Sequence, residues 1–324
     1  MALDQRPYGS DARLLALGLV VVLMWGITAW LRKVASDLPP LELTGLAMLA
    51  AALCSGLWPA NQGALRRAPR RHPWYAWVFV SGGLLGGAAF YFAALEFAPA
   101  AQVVVVTYTW PLLFALTSDA YRRRRPSLLT LVSLLLGLAG VVVMNGGVEP
   151  PSGSAWVGYV AGLLAGLSWV AYSLFQQVYE RELKYDLPVF FLAAGVLSLT
   201  VQAMLGTGLV WPRAWTAYAA AGVLGAGPYG LGFIGWGHVV RNGNPRVIPT
   251  LPYAVPAVSA LALVLAGDTQ PSLTLFAGCF LALTGCISAF HQRSSRLSGA
   301  VRQQRPAAAH RRKRSCQEAG HRAS

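Results

Sequence analysis

Long apolar runs recur along almost the whole chain and restrict what it can fold into. Each run has about 18 residues or more, the length that an α-helix needs to cross a hydrocarbon core roughly 30 Å thick. Backbone polar groups in lipid must be paired within the segment itself, and a helix pairs them. Only 12% of the 324 residues are charged, about half the share found in soluble domains. The pattern predicts an all-α integral membrane protein.

Ten runs are long enough to be transmembrane helices, with ends uncertain by a few residues. The runs lie at about 13–32, 41–59, 74–97, 100–119, 127–145, 155–177, 187–210, 215–240, 246–266 and 272–290. A short segment, 1–12, precedes them. A basic tail, 291–324, follows them, and we expect this tail to be disordered.

Landmarks of the first half of the chain return in the second half about 145 residues later. The corresponding pairs are Pro126-Ser127-Leu128 with Pro271-Ser272-Leu273, Gly137-Leu138-Ala139-Gly140 with Ala282-Leu283-Thr284-Gly285, Tyr108 with Tyr253, Tyr91 with Trp236 and, one residue closer, Trp25 with Trp169. Each copy holds five helices, and because five is odd the second copy must be inverted in the membrane. We therefore expect two inverted five-helix repeats, at 13–147 and 148–290.

Basic residues are distributed unevenly between the two sides of this predicted bundle. The side that carries both termini holds 23 of the 26 lysine and arginine residues, and the other side holds only Arg32, Lys33 and Arg213. Because positive charge is retained in the cytoplasm, both termini are predicted to be cytoplasmic, in the cell (plasma or inner) membrane. The net charge of +14 then reflects topology and anionic lipid rather than nucleic-acid binding.

The fourth and ninth runs carry the features expected of a solute site. Pro111 follows Tyr108 and Trp110 in the fourth run, and Pro252 and Pro256 flank the tyrosine of the ninth. Each proline removes a backbone donor and frees a carbonyl in the preceding turn, so both helices are predicted to be kinked there. Such breaks expose hydrogen-bonding groups at mid-membrane, although the same prolines could simply bend a structural helix.

Aromatic side chains on other runs extend this predicted site. Trp25 and Trp169 lie too deep in their runs for an interfacial belt. A flat, partly apolar solute would stack on such rings while hydroxyl groups orient it. The candidate solute-binding residues are Trp25, Tyr91, Tyr108, Trp110, Trp169, Tyr172, Trp236 and Tyr253.

Ionisable residues are scarce within the runs. His238 and Glu96 are candidates for gating or proton handling. The alternative for His238 is a packing role, and the alternative for Glu96 is an interfacial role. No clear carboxylate lies at mid-membrane in the sequence, which favours a zwitterionic or neutral solute over a lipophilic cation. No metal-binding spacing, nucleotide-binding loop or hydrolase motif occurs, so no metal or cofactor is predicted.

Several motifs resemble the drug/metabolite transporter superfamily, in its ten-helix EamA branch, and the resemblance covers about residues 13–290. Two segments are similar to the branch's repeated opening motif, namely Trp25-Gly26 and Leu167-Ser168-Trp169-Val170-Ala171-Tyr172. Three further motifs are similar to those of the YddG-type aromatic amino-acid exporters, namely Tyr108-Thr109-Trp110-Pro111, Trp236 with Gly243-Asn244, and Tyr253-x-x-Pro256-x-x-Ser259. His238, Arg241 and the long basic tail depart from the pattern. The resemblance implies a central cavity, open alternately to the two sides, and export of amino acids or related metabolites.

The sequence thus predicts a secondary transporter rather than an enzyme, exporting small organic metabolites such as aromatic or other hydrophobic amino acids. Its predicted partners are the solute and the lipid bilayer, and a monomer is compatible with the sequence. Three alternatives stay open: an exporter of other metabolites or drugs, a membrane scaffold that recruits partners through the tail, and an integral membrane enzyme acting on lipid or isoprenoid. The enzyme would need grouped carboxylates, histidines or a nucleophile at one membrane face, which the sequence lacks.

Overall fold

The computed structural model describes residues 9–123, 125, 127–179, 183–205, 208–210, 214–245 and 247–288. Throughout these ranges the regular structure is helical, without a strand. The predicted all-α class is therefore confirmed for the part of the chain that the structure describes. The basic tail, predicted from residue 291 onward, lies outside the described residues.

Within the described ranges, seven helices are long and apolar enough to cross a membrane, and three shorter apolar helices lie among them. In chain order the ten are α1 Ala12–Val34, α2 Pro40–Gly56, α3 Trp74–Phe97, α4 Ala100–Tyr121, α5 Leu128–Met144, α6 Ala155–Val178, α7 Leu187–Met204, α8 Trp215–Asn242, α9 Ile248–Leu265 and α10 Leu273–Ser288. The shorter helices are α2, α5 and α10. Helical structure of α1 already begins at Gly9, within the segment predicted to precede the first run. The chain is a multi-pass helical membrane protein.

Proline marks the start of several helices. Pro40 and Pro188 occupy the first turns of α2 and α7, and Pro99 immediately precedes α4. A proline fits the first turn because its fixed φ is helical and that turn needs no backbone donor. A short helix, Ala64–Arg71, connects α2 to α3, and we call it the connecting helix.

Five helices are irregular in their interiors, and in α1 the irregularity is a turn at Ile27. Helix α4 breaks at Tyr108 and Thr109, and α9 begins as a 3-10 helix over Ile248–Tyr253 before becoming α-helical. Helices α3 and α8 contain wide π turns at Val78–Gly82 and Gly225–Leu231. Such turns are rare and concentrate at functional sites. The irregular segments of α3 and α4 correspond to those of α8 and α9 at a separation of about 145 residues.

Helices α5 and α10 cross in direct backbone contact through small residues. A Cβ atom built on Gly140 would lie 2.4 Å from the backbone nitrogen of Ala282, and one on Gly285 would lie 2.7 Å from that of Gly137. Close approach at small residues is how membrane helices gain packing energy without a hydrophobic driving force. Gly140 and Gly285 are 145 residues apart, and so are Gly137 and Ala282. Each contact is therefore the counterpart of the other in the opposite half of the chain.

Large apolar side chains cover much of the outer surface. Leu273 and Phe280 on α10 are 85% and 72% exposed, and Leu128 on α5 is 74% exposed. A soluble monomer rarely presents extended apolar patches of this kind. Lipid is the environment in which this surface is stable. The largest buried cluster lies inside the bundle and contains Trp236, Tyr172 and Tyr253.

Candidate functional site

Nine aromatic rings from five helices form one contiguous group, which we call the aromatic cluster. Phe233 on α8 lies at its centre, with five ring centroids between 5.4 and 6.4 Å from its own. These distances are typical of favourable aromatic pairs. The members are Trp25 on α1, Trp110 and Phe114 on α4, Trp169 and Tyr172 on α6, Phe191 on α7, and Tyr229, Phe233 and Trp236 on α8.

Trp236 forms the inner wall of the aromatic cluster. Its ring lies 5.3 Å from that of Trp25 and 6.0 Å from that of Trp110, and only 1% of the residue is exposed. The indole Nε1 donates a 2.9 Å hydrogen bond to Ser173 Oγ on α6. A buried indole needs such an acceptor, so this bond fixes α8 against α6.

Three rings of the cluster are partly exposed. They are Trp25, Trp169 and Tyr229, on α1, α6 and α8. Each lies within 5.7 Å of Phe233, centroid to centroid. The accessible part of the cluster is therefore a set of ring faces around one buried phenylalanine.

A glycine accommodates each of the two exposed indoles. A Cβ atom on Gly87 of α3 would lie 2.6 Å from Trp169 Cε2, and one on Gly232 of α8 would lie 3.0 Å from Trp25 Nε1. That same Nε1 donates a 3.0 Å hydrogen bond to the carbonyl of Pro228, within the π turn of α8. Each indole is thus fixed by a helix from the other half of the chain.

Buried polar groups around the cluster are already paired within the protein. Gln176 Nε2 donates to the Tyr172 hydroxyl at 3.1 Å, and that hydroxyl donates to the carbonyl of Phe233 at 3.4 Å. The first bond lies within α6, and the second ties α6 to α8. These atoms and the indole nitrogens of Trp25 and Trp236 thus have partners within the protein.

The tyrosines of the α4 and α9 breaks lie beside this cluster. Tyr253 is fully buried, and a Cβ atom on Gly137 of α5 would lie 2.5 Å from its ring. Its hydroxyl has no hydrogen-bond partner among the described residues, although it lies next to the backbone of Leu112. Tyr108 is partly buried against the same core and lies within electrostatic range of Tyr91. Tyr253 therefore packs α9 against α5, while Tyr108 retains some exposure.

The structure brings together Trp25, Trp110, Trp169, Tyr172 and Trp236 of the predicted solute-binding residues. Tyr91 packs in a separate small cluster. His238 is exposed and next to Asn242, and Glu96 is exposed near the end of α3. The sequence did not rank Phe233 or Tyr229 as site residues, since aromatic residues are common in these runs.

An ionic group at one end of the bundle went unnoticed in the sequence, and we call it the ionic cluster. Asp186, before α7, is fully buried and accepts hydrogen bonds from His72 Nε2 at 2.9 Å and from Arg67 Nε and Nη2 at 3.3 and 3.2 Å. Arg71 Nη1 lies 3.6 Å from the same carboxylate, and His72 Nδ1 lies 3.0 Å from the Tyr179 hydroxyl. A buried charge is stable only when paired and hydrogen-bonded in this way. The cluster joins the connecting helix to the start of α7.

Known proteins resemble this chain over most of its length. Residues 13–146 match the EamA-like transporter family. The chain is 33% identical over 277 residues to the aromatic amino acid exporter YddG of Ancylobacter novellus, an alignment that covers 83% of this chain and 94% of that protein. It is 25% identical over 247 residues to the inner membrane transporter YedA of Escherichia coli K12, with 74% and 78% of the two chains covered. A solved crystal structure with 31% sequence identity matches the fold with a TM-score of 0.76, covering 86% of this chain and 96% of its own.

Proposed function

Because the chain belongs to the EamA-like transporter family, we propose that it exports aromatic amino acids, or hydrophobic amino acids of similar size, by alternating access. The observation that carries this proposal is the set of accessible rings, Trp25, Trp169 and Tyr229, around Phe233. The aromatic amino acid exporter that resembles this chain supports the same substrate class. The proposed role is transport rather than catalysis.

The pairing of polar atoms in the cluster favours an aromatic solute over a polar one. The indole nitrogens of Trp25 and Trp236 and the hydroxyl of Tyr172 have partners within the protein. A solute that needed these three atoms would have to displace the bonds, whereas a flat ring can stack on the partly exposed faces without doing so. Aromatic pairs contribute about 0.5–1.5 kcal/mol each beyond their buried area, so two or three stacked faces would support selective binding.

We further propose that ten helices span the membrane as two inverted five-helix repeats, 13–147 and 148–290. This proposal is supported by contacts between the two halves that recur at residues about 145 positions apart. Gly87 packs on Trp169 as Gly232 packs on Trp25, and the α5–α10 crossing repeats in the same manner. Inverted repeats of this kind enclose the solute site at their interface.

Alternating access then follows from movement of one repeat against the other. Trp25 and Trp110 belong to the first repeat, while Phe233 and Trp236 belong to the second, so the aromatic cluster bridges the two. The irregular turns of α3, α4, α8 and α9 adjoin this bridge. Weakened backbone pairing at such turns lets a helix bend locally while its ends stay packed.

Transport by purified protein in liposomes tests the substrate class. We expect uptake of labelled tryptophan, phenylalanine or tyrosine above that of empty liposomes. Replacing Trp169 by alanine should lower the rate roughly tenfold, because the solute loses a stacking face and apolar contact. The matched control is Trp156→Ala on the same helix, whose side chain is exposed on the outer surface and whose loss should leave flux unchanged.

Absence of flux for every aromatic amino acid would reject the substrate class. Equal flux in the Trp169→Ala and wild-type proteins, with both melting at the same temperature, would remove Trp169 from the site. Equal loss in both tryptophan variants would indicate general damage to the fold.

Cysteine labelling in intact cells tests the orientation. In a variant that lacks Cys54, Cys279 and Cys286, the remaining Cys316 lies in the tail predicted to be cytoplasmic. A membrane-impermeant maleimide should label it only after permeabilisation. In a second variant, without Cys316, a cysteine at the exposed position Asp37 should be labelled in intact cells. The reverse pattern would contradict the proposed orientation.

A further inference from the structure

Arg32 is a cation in the last turn of α1, at one end of the bundle. It lies seven residues after Trp25, beyond the turn at Ile27 that interrupts the helix. Trp25 faces the aromatic cluster. Arg32 is partly buried, and its neighbours Leu31 and Ala35 belong to a buried cluster against which Tyr229 also packs.

Arg32 has only weak partners among the described residues. Its Nη1 donates a 3.1 Å hydrogen bond to the carbonyl of Ala35. Within the described residues, none of the carboxylates is within 4 Å of it. Charged groups in a membrane segment are usually paired. The guanidinium therefore keeps donors available for an anion.

The nearby acidic residues already have other environments. Asp268 forms an ion pair with Lys33, the residue next to Arg32. Glu42 on α2 is buried and accepts a 2.8 Å hydrogen bond from a backbone amide. Asp37 is exposed. Among the described residues, Arg32 is thus a partly buried cation that forms no ion pair with a carboxylate.

Tyr229 connects Arg32 to the accessible rings. Its ring stacks on that of Phe233 with centroids 5.4 Å apart, and Phe233 lies 5.7 Å from Trp25. Tyr229 also packs against the buried cluster that contains Leu31 and Ala35, which flank Arg32. A molecule with a ring and an anionic group a few bonds apart would place the ring on these faces and the anion toward Arg32.

We propose that Arg32 binds the carboxylate of the exported amino acid while the solute ring stacks on Trp25 and Tyr229. The inference rests on the proposed function and makes it more specific, because the substrate must then carry both an aromatic ring and a free carboxylate. An arginine suits this role because its planar guanidinium binds a carboxylate through two parallel hydrogen bonds.

Equilibrium binding by the purified full-length chain tests the assignment. The probes are tryptophan, its amide, which lacks the carboxylate, and indole-3-propionate, which lacks the amine. We expect the wild-type protein to bind tryptophan and indole-3-propionate more tightly than the amide. Arg32→Gln should weaken tryptophan binding about 10- to 100-fold and remove its advantage over the amide. Arg32→Lys should retain part of that advantage, and Lys33→Gln should behave as wild type.

Each outcome decides between the two proposals. If the wild-type protein binds tryptophan and its amide equally, or if Arg32→Gln binds tryptophan as well as wild type does, the role of Arg32 is rejected while aromatic export stands. If the wild-type protein binds none of tryptophan, phenylalanine and tyrosine, the proposed substrate class is rejected, and the proposed role of Arg32 is rejected with it. Should Arg32→Gln not fold, the wild-type comparison and Arg32→Lys still decide.

Discussion

Replacing Asp186 by alanine is expected to lower the free energy of unfolding by about 1–3 kcal/mol, the usual cost of leaving a buried hydrogen-bonding group without its partner. The carboxylate is fully buried and is approached by Arg67, Arg71 and His72. Its removal leaves positive charges facing one another at the junction of the connecting helix and α7, without the group that compensates them. Thermal unfolding of the purified protein in detergent measures the effect as a lower melting temperature.

Asp268→Ala is the matched control for this variant. Asp268 also pairs with a basic side chain, Lys33, but the lysine side chain is 56% exposed. Exposed ion pairs contribute about 0–1 kcal/mol, so its loss should change the melting temperature little. Asp186→Asn should fall between the two, since it keeps an acceptor for His72 without the charge. Equal melting temperatures for the two alanine variants would show that the ionic cluster does not stabilise the fold.

Adding one methyl group at Gly140 is expected to destabilise the protein by about 1–3 kcal/mol, the range for overpacking a tight contact. A Cβ atom there would lie 2.4 Å from the backbone nitrogen of Ala282 and 2.6 Å from the carbonyl oxygen of Gly278. Backbone atoms cannot turn aside as a flexible side chain can, so α5 and α10 must separate. The expected result for Gly140→Ala is a lower melting temperature and less folded protein in membranes.

Gly222→Ala adds the same methyl group to α8, where a Cβ atom would have no neighbour within 4 Å. Alanine is the better helix former by up to about 1 kcal/mol, so this variant should be as stable as the wild-type protein or slightly more stable. A melting temperature for Gly140→Ala that matches that of Gly222→Ala would disprove close α5–α10 packing.

Features that act locally could be predicted from the sequence. The runs were found because apolar length alone decides whether a segment can enter lipid. The starts of α2 and α7 follow from Pro40 and Pro188, since a proline in the first turn needs no hydrogen-bond donor. The π turns of α3 and α8 were not predicted, because their residues do not forbid a regular helix and only packing between helices selects the wider turn.

Depth within a run was one signal in the sequence that identified site residues. Trp25 and Trp169 were chosen for that reason, and both lie in the aromatic cluster. Phe233 could not be distinguished from the other phenylalanines, because its importance comes from five neighbours on other helices. Asp186 and His72 are 114 residues apart in the chain, and nothing local to either residue indicates that they meet.

The contact between Gly87 and Trp169 should make two distant positions change together in evolution. Any larger residue at 87 would occupy space that the indole already fills, so it can be accepted only with a smaller residue at 169, and the same rule links Gly232 with Trp25. Relatives that carry solutes of other sizes should therefore differ at both members of a pair. Paired substitutions at these four positions would identify, from sequence alone, which members of the family have changed their cargo.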